Sequence, residues 1–255
     1  FIYTHYFKYL KKMNNMIKFD SKSMFGNSNI YRLSELKPAG VKLILDPKIN
    51  LLELLKLTLV DLILKKVLVI KKVLEKPHPR DPYLTEYTLV EAAENFEKYE
   101  PNHYEKYFTK RINKCTCFQL RVFLAAIYKE IQTESKYKNE IIRDLKIQDL
   151  FKRDFFSVSF SIFSTNQKGK KLKIEISEYL EEVDRIIENL IDHEPEKALK
   201  TVLIPQVNIF PLINSKFKLL EKLKSVSRAH ATNDNNHYDD WIGIDFMRDF
   251  DFSLN

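Results

Sequence analysis

The 255-residue chain predicts an α+β fold, predominantly helical, with two β-hairpins and a C-terminal helical extension. Two periodicities and one recurrence lead there. Long segments space their apolar residues three and four apart, as an amphipathic helix requires, and shorter ones alternate apolar with polar residues, as a half-buried strand requires. The order helix, hairpin, helix then occurs twice.

The alternation is clearest in FFSVSFSIF, where Phe156, Val158, Phe160 and Ile162 alternate with Ser157, Ser159 and Ser161. STNQKGKK follows, with Gly169 available for a positive φ, and Leu172, Ile174 and Ile176 then alternate with Lys171, Lys173 and Glu175. These segments read as an antiparallel hairpin. EYLEEVDRIIENLI returns to helical spacing through Leu180, Val183, Ile187, Leu190 and Ile191. Upstream, FQLRVFLAAIYKEI and NEIIRDLKIQDLFKR read as two more helices, the second apolar along Ile141, Ile142, Leu145, Leu150 and Phe151.

An earlier unit follows the same order. Asn50 with Glu53 three residues on forms a capping-box pattern for a helix through LLELLKLTLVDLILKK. Residues 67–75 read as a strand, EKPHPRDP as a proline-stiffened loop, residues 83–90 as the return strand and EAAENFEKY as a helix. YRLSELKPAGVKLIL, interrupted by Pro38 and Gly40, suggests a short helix and an edge strand. Aligning Asp61-Leu62 with Asp149-Leu150 sets Lys65 opposite Arg153 and Val67 opposite Phe155.

Helix, helix, hairpin resembles the winged-helix superfamily, over residues 118–192 and more weakly over 30–99. The resemblance lies in element order, with NEIIRDLKIQDLFKR in the place of a recognition helix and FFSVSFSIFSTNQKGKKLKIEI in the place of a wing. It implies tandem winged-helix-like modules. The organisation then reads as an N-terminal extension (1–28) that need not be ordered, modules at 29–112 and 113–194, a helical extension (195–227) and a flexible acidic-aromatic tail (228–255).

If the second module bound nucleic acid as winged helices do, Arg143, Lys146, Lys152 and Arg153 on the helix and Lys168, Lys170 and Lys171 on the wing would meet phosphates. Glu140, Asp144 and Asp149 on the same arc oppose that use. The first unit's helix is apolar on nearly every side and so is expected to be buried. His78 and Arg80 in its loop read as a solvated turn. A sequence isoelectric point near 9.1 invites a polyanion, but the lysine enrichment accompanies a general Lys, Ile, Asn, Phe and Tyr bias.

The tail differs in character. Residues 234–255 carry six aspartates and one arginine, a net −5 within a chain of +7, which leaves +12 elsewhere. Trp241, Phe246 and Phe250 would anchor such a peptide on a protein partner, or on the chain's own basic surface. His230, His237, Asp239 and Asp240 have no fixed spacing that supports a metal site.

Cys115 and Cys117, in KCTCF, lack a second pair for structural zinc and read as reduced cysteines at the start of a buried helix. That usage, with no signal-like h-region in FIYTHYFKYLKK, suits a reducing cytoplasm. Gly26, Gly40, Gly169 and Gly243 are too scattered for a P-loop or dinucleotide turn. His193-Glu194 lacks the second histidine of a zinc-protease helix. No cofactor is implied. The reading that results is a non-enzymatic protein-interaction module, acting on an unidentified partner or on itself. Sequence-independent nucleic-acid binding is the alternative, and anionic membrane binding is third.

Overall fold

The fold is taken from a computed structural model that describes residues 36–78, 80–152, 163–194, 198, 210–214, 219, 221 and 222. Among these it is α+β: six α-helices and one three-stranded antiparallel sheet. Helix α1 spans Pro38–Leu45, α2 Leu51–Leu64, α3 His103–Thr109, α4 Leu120–Ile131, α5 Glu134–Asp144 and α6 Gln167–Ile191. Strands β1 (Leu68–Glu75), β2 (Thr85–Ala92) and β3 (Cys117–Gln119) lie in the order β1, β2, β3. No described helix is long and apolar enough to cross a membrane.

Pro38 opens α1, where a missing N–H costs nothing. The helix continues through Leu45, so the edge strand expected after Gly40 is absent. Asn50 caps α2 as its sequence indicates, its side chain accepting the Glu53 N–H at 2.9 Å. Helix α2 is buried along most of its surface, with Leu54, Leu55, Leu59 and Leu62 at 1% exposure or less. A second cap, not anticipated from the sequence, starts α3: the Asn102 N–H donates to Glu105 Oε2 at 2.8 Å.

Helices α2 and α5 end alike. Lys66 (φ 54°) and Lys146 (φ 55°) occupy the left-handed region. Beyond them, Val67 N–H bonds the Leu62 carbonyl at 2.9 Å and Ile147 N–H the Ile142 carbonyl at 3.0 Å. These ends correspond through Lys66 and Lys146, whereas the Asp61 and Asp149 aligned in sequence differ in setting: Asp61 is buried within α2 and Asp149 is exposed in a 3-10 turn, Gln148–Leu150.

The helix expected through residues 139–153 ends at Asp144, so Lys146 lies past it in the left-handed region, Leu150 sits in a 3-10 turn and Lys152 is outside any helix. Three further expectations are corrected. The return strand of the second hairpin is helix: Leu172, Ile176, Leu180, Val183, Ile187 and Ile191 form one buried stripe along α6. Ile174, which completed the apparent alternation, is 58% exposed. The partner strand at 156–162 lies outside the described residues, and an isolated bridge joins Phe151 to Thr165. Second, EAAENFEKY forms the end of β2 and a 3-10 turn, Phe96–Lys98, instead of a helix. Its donors are already used: Ala93 N–H bonds the Val67 carbonyl and Asn95 N–H the Lys66 carbonyl, both at 2.9 Å. Third, Cys115 and Cys117 are free and exposed, ahead of α4 instead of buried within its start.

One continuous core runs from Leu36 to Leu219 and takes side chains from all six helices and from β1 and β2. Strand β3, from the second predicted module, pairs with β2 of the first. Longer-range polar ties reinforce this union. Glu134 accepts the Leu51 N–H at 3.0 Å and pairs with the buried Lys138, which also donates to the Pro47 carbonyl at 3.0 Å.

Candidate functional site

Two surface features stand out, a cleft carrying several of the cations singled out in the sequence and a hairpin that outruns the core. The cleft has a volume of about 520 Å³ and lies among the N-terminal end of α1, Asn102, the turn after α5 and the start of α6. Lys37, Lys146 and Lys168 line it with Asp144 and Asp149, over an apolar floor that includes Leu145, Ile147 and Leu150.

Most of this charge is internally matched. Lys37 donates to Glu105 and to Tyr99 Oη at 3.0 Å, and its ammonium stands 5.5 and 5.9 Å from the Tyr99 and Tyr104 ring centroids. Glu105 is fully buried and also accepts the Tyr99 hydroxyl at 3.0 Å. Burial lowers the Lys37 pKa, against the opposing pull of Glu105. Burial raises that of Asp61, which pairs with Lys65. Lys168 pairs with Asp149. Asp144 accepts from His103 Nδ1 at 3.0 Å and from the Tyr104 N–H at 3.3 Å, with Arg143 Nε at 3.7 Å. Only Lys146, among the cations lining the cleft, has no ion pair among the described residues.

The structure therefore brings Lys146 and Lys168 to one cleft, with Arg143 beside it. Lys170 and Lys171 are exposed on the first turn of α6 instead of a wing tip, and Lys152 is exposed just before 153–162. Arg153, Trp241, Phe246 and Phe250 lie outside the described residues.

The β1–β2 hairpin pairs Leu68 with Ala92 at its base and Glu75 with Thr85 at its outer end. Successive side chains alternate faces, so Leu68, Ile70, Lys72 and Leu74 share one face with Ala92, Val90, Thr88 and Glu86 opposite. The base of that face is core: Leu68, Ile70 and Val90 are at most 1% exposed. Its outer half is uncovered, with Leu74 65% and, just before β2, Tyr83 77% and Leu84 58% exposed. A diagonal ion pair, Lys72 with Glu86, neutralises the charge on this face, and Lys71 pairs with Glu91 on the opposite one. Within the described sheet β1 is an edge strand.

The sequence pattern indicates a strand pair and a stiff loop here and does not mark the apolar end as exposed. The available signal was local: Leu74, Tyr83 and Leu84 are apolar residues flanking the proline-stiffened loop. No family model, curated protein or solved structure matches the chain.

Proposed function

We propose that the protein is a non-enzymatic interaction module that binds another protein through the outer half of the β1–β2 hairpin. The observation that supports this reading is the exposed apolar group at the outer end of the hairpin, Leu74 with Tyr83 and Leu84, on strands whose base, Leu68, Ile70 and Val90, is core. Exposed apolar surface on an element anchored in the core, with the intervening Lys72 paired to Glu86, suits a protein contact. The order α1, α2, β1, β2 keeps a winged-helix-like sequence of elements in the first unit, and such units serve protein binding as well as nucleic-acid binding. The nucleic-acid alternative has weaker support, because Lys168 and Arg143 face Asp149 and Asp144.

The test places a photo-crosslinking residue at Tyr83 in the full chain, with and without Leu74→Lys and Leu84→Lys. A discrete protein adduct lost in the double variant, whose melting temperature is unchanged, supports the reading. Absence of any adduct, or an adduct insensitive to the lysines, overturns it. Tight, salt-dependent binding of a random duplex by the same samples moves the function to nucleic acid.

A further inference from the structure

Within the described sheet β1 leaves one edge unpaired, and its ladder with β2 decides which backbone groups face outward there. Ala93 N–H bonds the Val67 carbonyl at 2.9 Å, and the register runs unbroken from Leu68 with Ala92 to Glu75 with Thr85. Hydrogen-bonded and non-hydrogen-bonded pairs alternate in an antiparallel ladder. Val69, Lys71, Val73 and Glu75 therefore turn their N–H and C=O groups toward β2. Lys72 and Leu74 turn theirs outward, where they find no backbone partner among the described residues.

The side chains of this outer half are accessible. Lys71, Lys72, Leu74 and Glu75 are exposed, and Val73 is partly buried. Lys71 pairs with Glu91 and Lys72 with Glu86, whereas Glu75 enters no ion pair among the described residues.

An added antiparallel strand must set its own outward-facing groups against those of Lys72 and Leu74. For a second β1 related by a two-fold axis, the axis then falls at Lys72, Val73 or Leu74. At Lys72 it sets the two Lys72 side chains against each other, and at Leu74 it sets Lys72 against Lys76. Like charges directly opposite are destabilising. At Val73 the order Lys71, Lys72, Val73, Leu74, Glu75 complements itself: each Lys71 lies opposite Glu75 of the second copy, each Lys72 opposite Leu74, and Val73 opposite Val73. The two Leu74 side chains then occupy diagonal positions on one face, within reach of each other.

We propose that a second copy of this chain pairs antiparallel with β1 about Val73, joining two three-stranded sheets into one of six strands. The proposal rests on the outer half of the hairpin being a protein contact, and the partner it assigns there is the chain itself. Glu75 gains its counter-ion from the other copy, and the outward amides of Lys72 and Leu74 gain theirs.

The test is sedimentation of the full chain. We expect a dimer whose dissociation constant rises at least about tenfold in Glu75→Lys and in Lys71→Glu, each of which sets like charges opposite one another at two places. Mixing the two variants restores it, because only the mixed pair matches opposite charges at both places. Circular dichroism of Glu75→Lys should be unchanged. With both native cysteines changed to serine, Val73→Cys should oxidise to a disulfide-linked dimer, since Cα atoms of a non-hydrogen-bonded pair stand about 4.5 Å apart, and Lys71→Cys should not. A chain monomeric at every concentration, a dimer indifferent to the charge changes, or a mixture no tighter than its components each overturns the pairing. A monomeric chain that still yields a Tyr83 adduct with a different protein overturns the pairing alone and leaves the hairpin as a protein contact.

Discussion

Gly169 lies against the Leu150 carbonyl so closely that a Cβ on it would sit 2.3 Å from that oxygen and 2.9 Å from Thr165 Cβ. Asn166 holds the approach. Its side chain accepts the Gly169 N–H at 3.0 Å and donates to the Asp149 carbonyl at 2.7 Å, while its own N–H bonds the Leu150 carbonyl at 2.9 Å. The obstacle is backbone, which cannot turn aside as a side chain would. We expect Gly169→Ala to destabilise the fold by about 1–3 kcal/mol, although alanine is ordinarily the better helix former. Urea denaturation measures this, and a gain in stability would mean that the start of α6 is not docked on the 3-10 turn.

The same glycine shows where sequence reading succeeds and fails. Sustained spacing was decisive for α2 and α4, and Asn50 marked a boundary because its side chain bonds a nearby backbone group, but the helix expected through residues 139–153 stops at Asp144, where Lys146 turns into the left-handed region. Leu172, Ile174 and Ile176 satisfied a strand pattern over five residues, too short a window to reject the helical stripe that continues to Ile191. The flexibility attributed to Gly169 was the wrong property; its missing side chain is what the packing needs. The cleft was only partly legible. Arg143, Lys146 and Lys168 were singled out as cations, but Lys37 and Glu105, 68 positions apart, meet through tertiary packing that no local pattern encodes.

Glu105 is fully buried, with Lys37, Tyr99 and the Asn102 N–H as partners. Removing one member of such a cluster strands the others away from water. We expect Glu105→Ala to cost about 3–5 kcal/mol, and a Lys37→Met, Glu105→Leu double variant to recover much of that loss. A double-variant cost equal to the sum of the single ones would show that the two side chains do not act as a pair.

Tyr104 presents the opposite case. Its ring meets Tyr137 edge-on, with centroids 6.1 Å apart, while its buried hydroxyl has no hydrogen-bond partner among the described residues. Tyr137, by contrast, shares a 2.9 Å hydrogen bond with Thr58. Tyr104→Phe should be neutral or stabilising by about 1 kcal/mol, and Tyr137→Phe should destabilise by about the same amount. Equal losses in thermal unfolding would mean that the Tyr104 hydroxyl is satisfied in solution.

Lys146 holds a left-handed backbone with a branched-free but bulky side chain, and it makes no ion pair among the described residues. Glycine relieves that conformation at some cost in unfolded-chain entropy. With about 1–2 kcal/mol of left-handed penalty removed, Lys146→Gly should stabilise by about 0.5–1 kcal/mol. A loss of stability would indicate that the lysine side chain makes a contact worth more than the strain.

Alkaline pH should expose the buried tyrosines as a group. Burial raises the pKa of Tyr99, Tyr104, Tyr107, Tyr137 and Tyr179, with Glu105 adding to it at Tyr99 and Tyr104 and Glu140 at Tyr107. A raised phenol keeps its proton in the folded chain after the unfolded chain has lost it, so each such group makes stability fall as pH rises past about 10, by up to about 1.4 kcal/mol per pH unit. Lys37 acts in the other direction, because its lowered value makes stability rise with pH up to the ordinary lysine value, but it is one group against five. Titration followed at the phenolate absorbance should therefore show an early phase from solvated tyrosines and a late phase coincident with loss of helical circular dichroism. A single smooth phase complete while the helices persist would show that these five hydroxyls reach solvent in the folded protein.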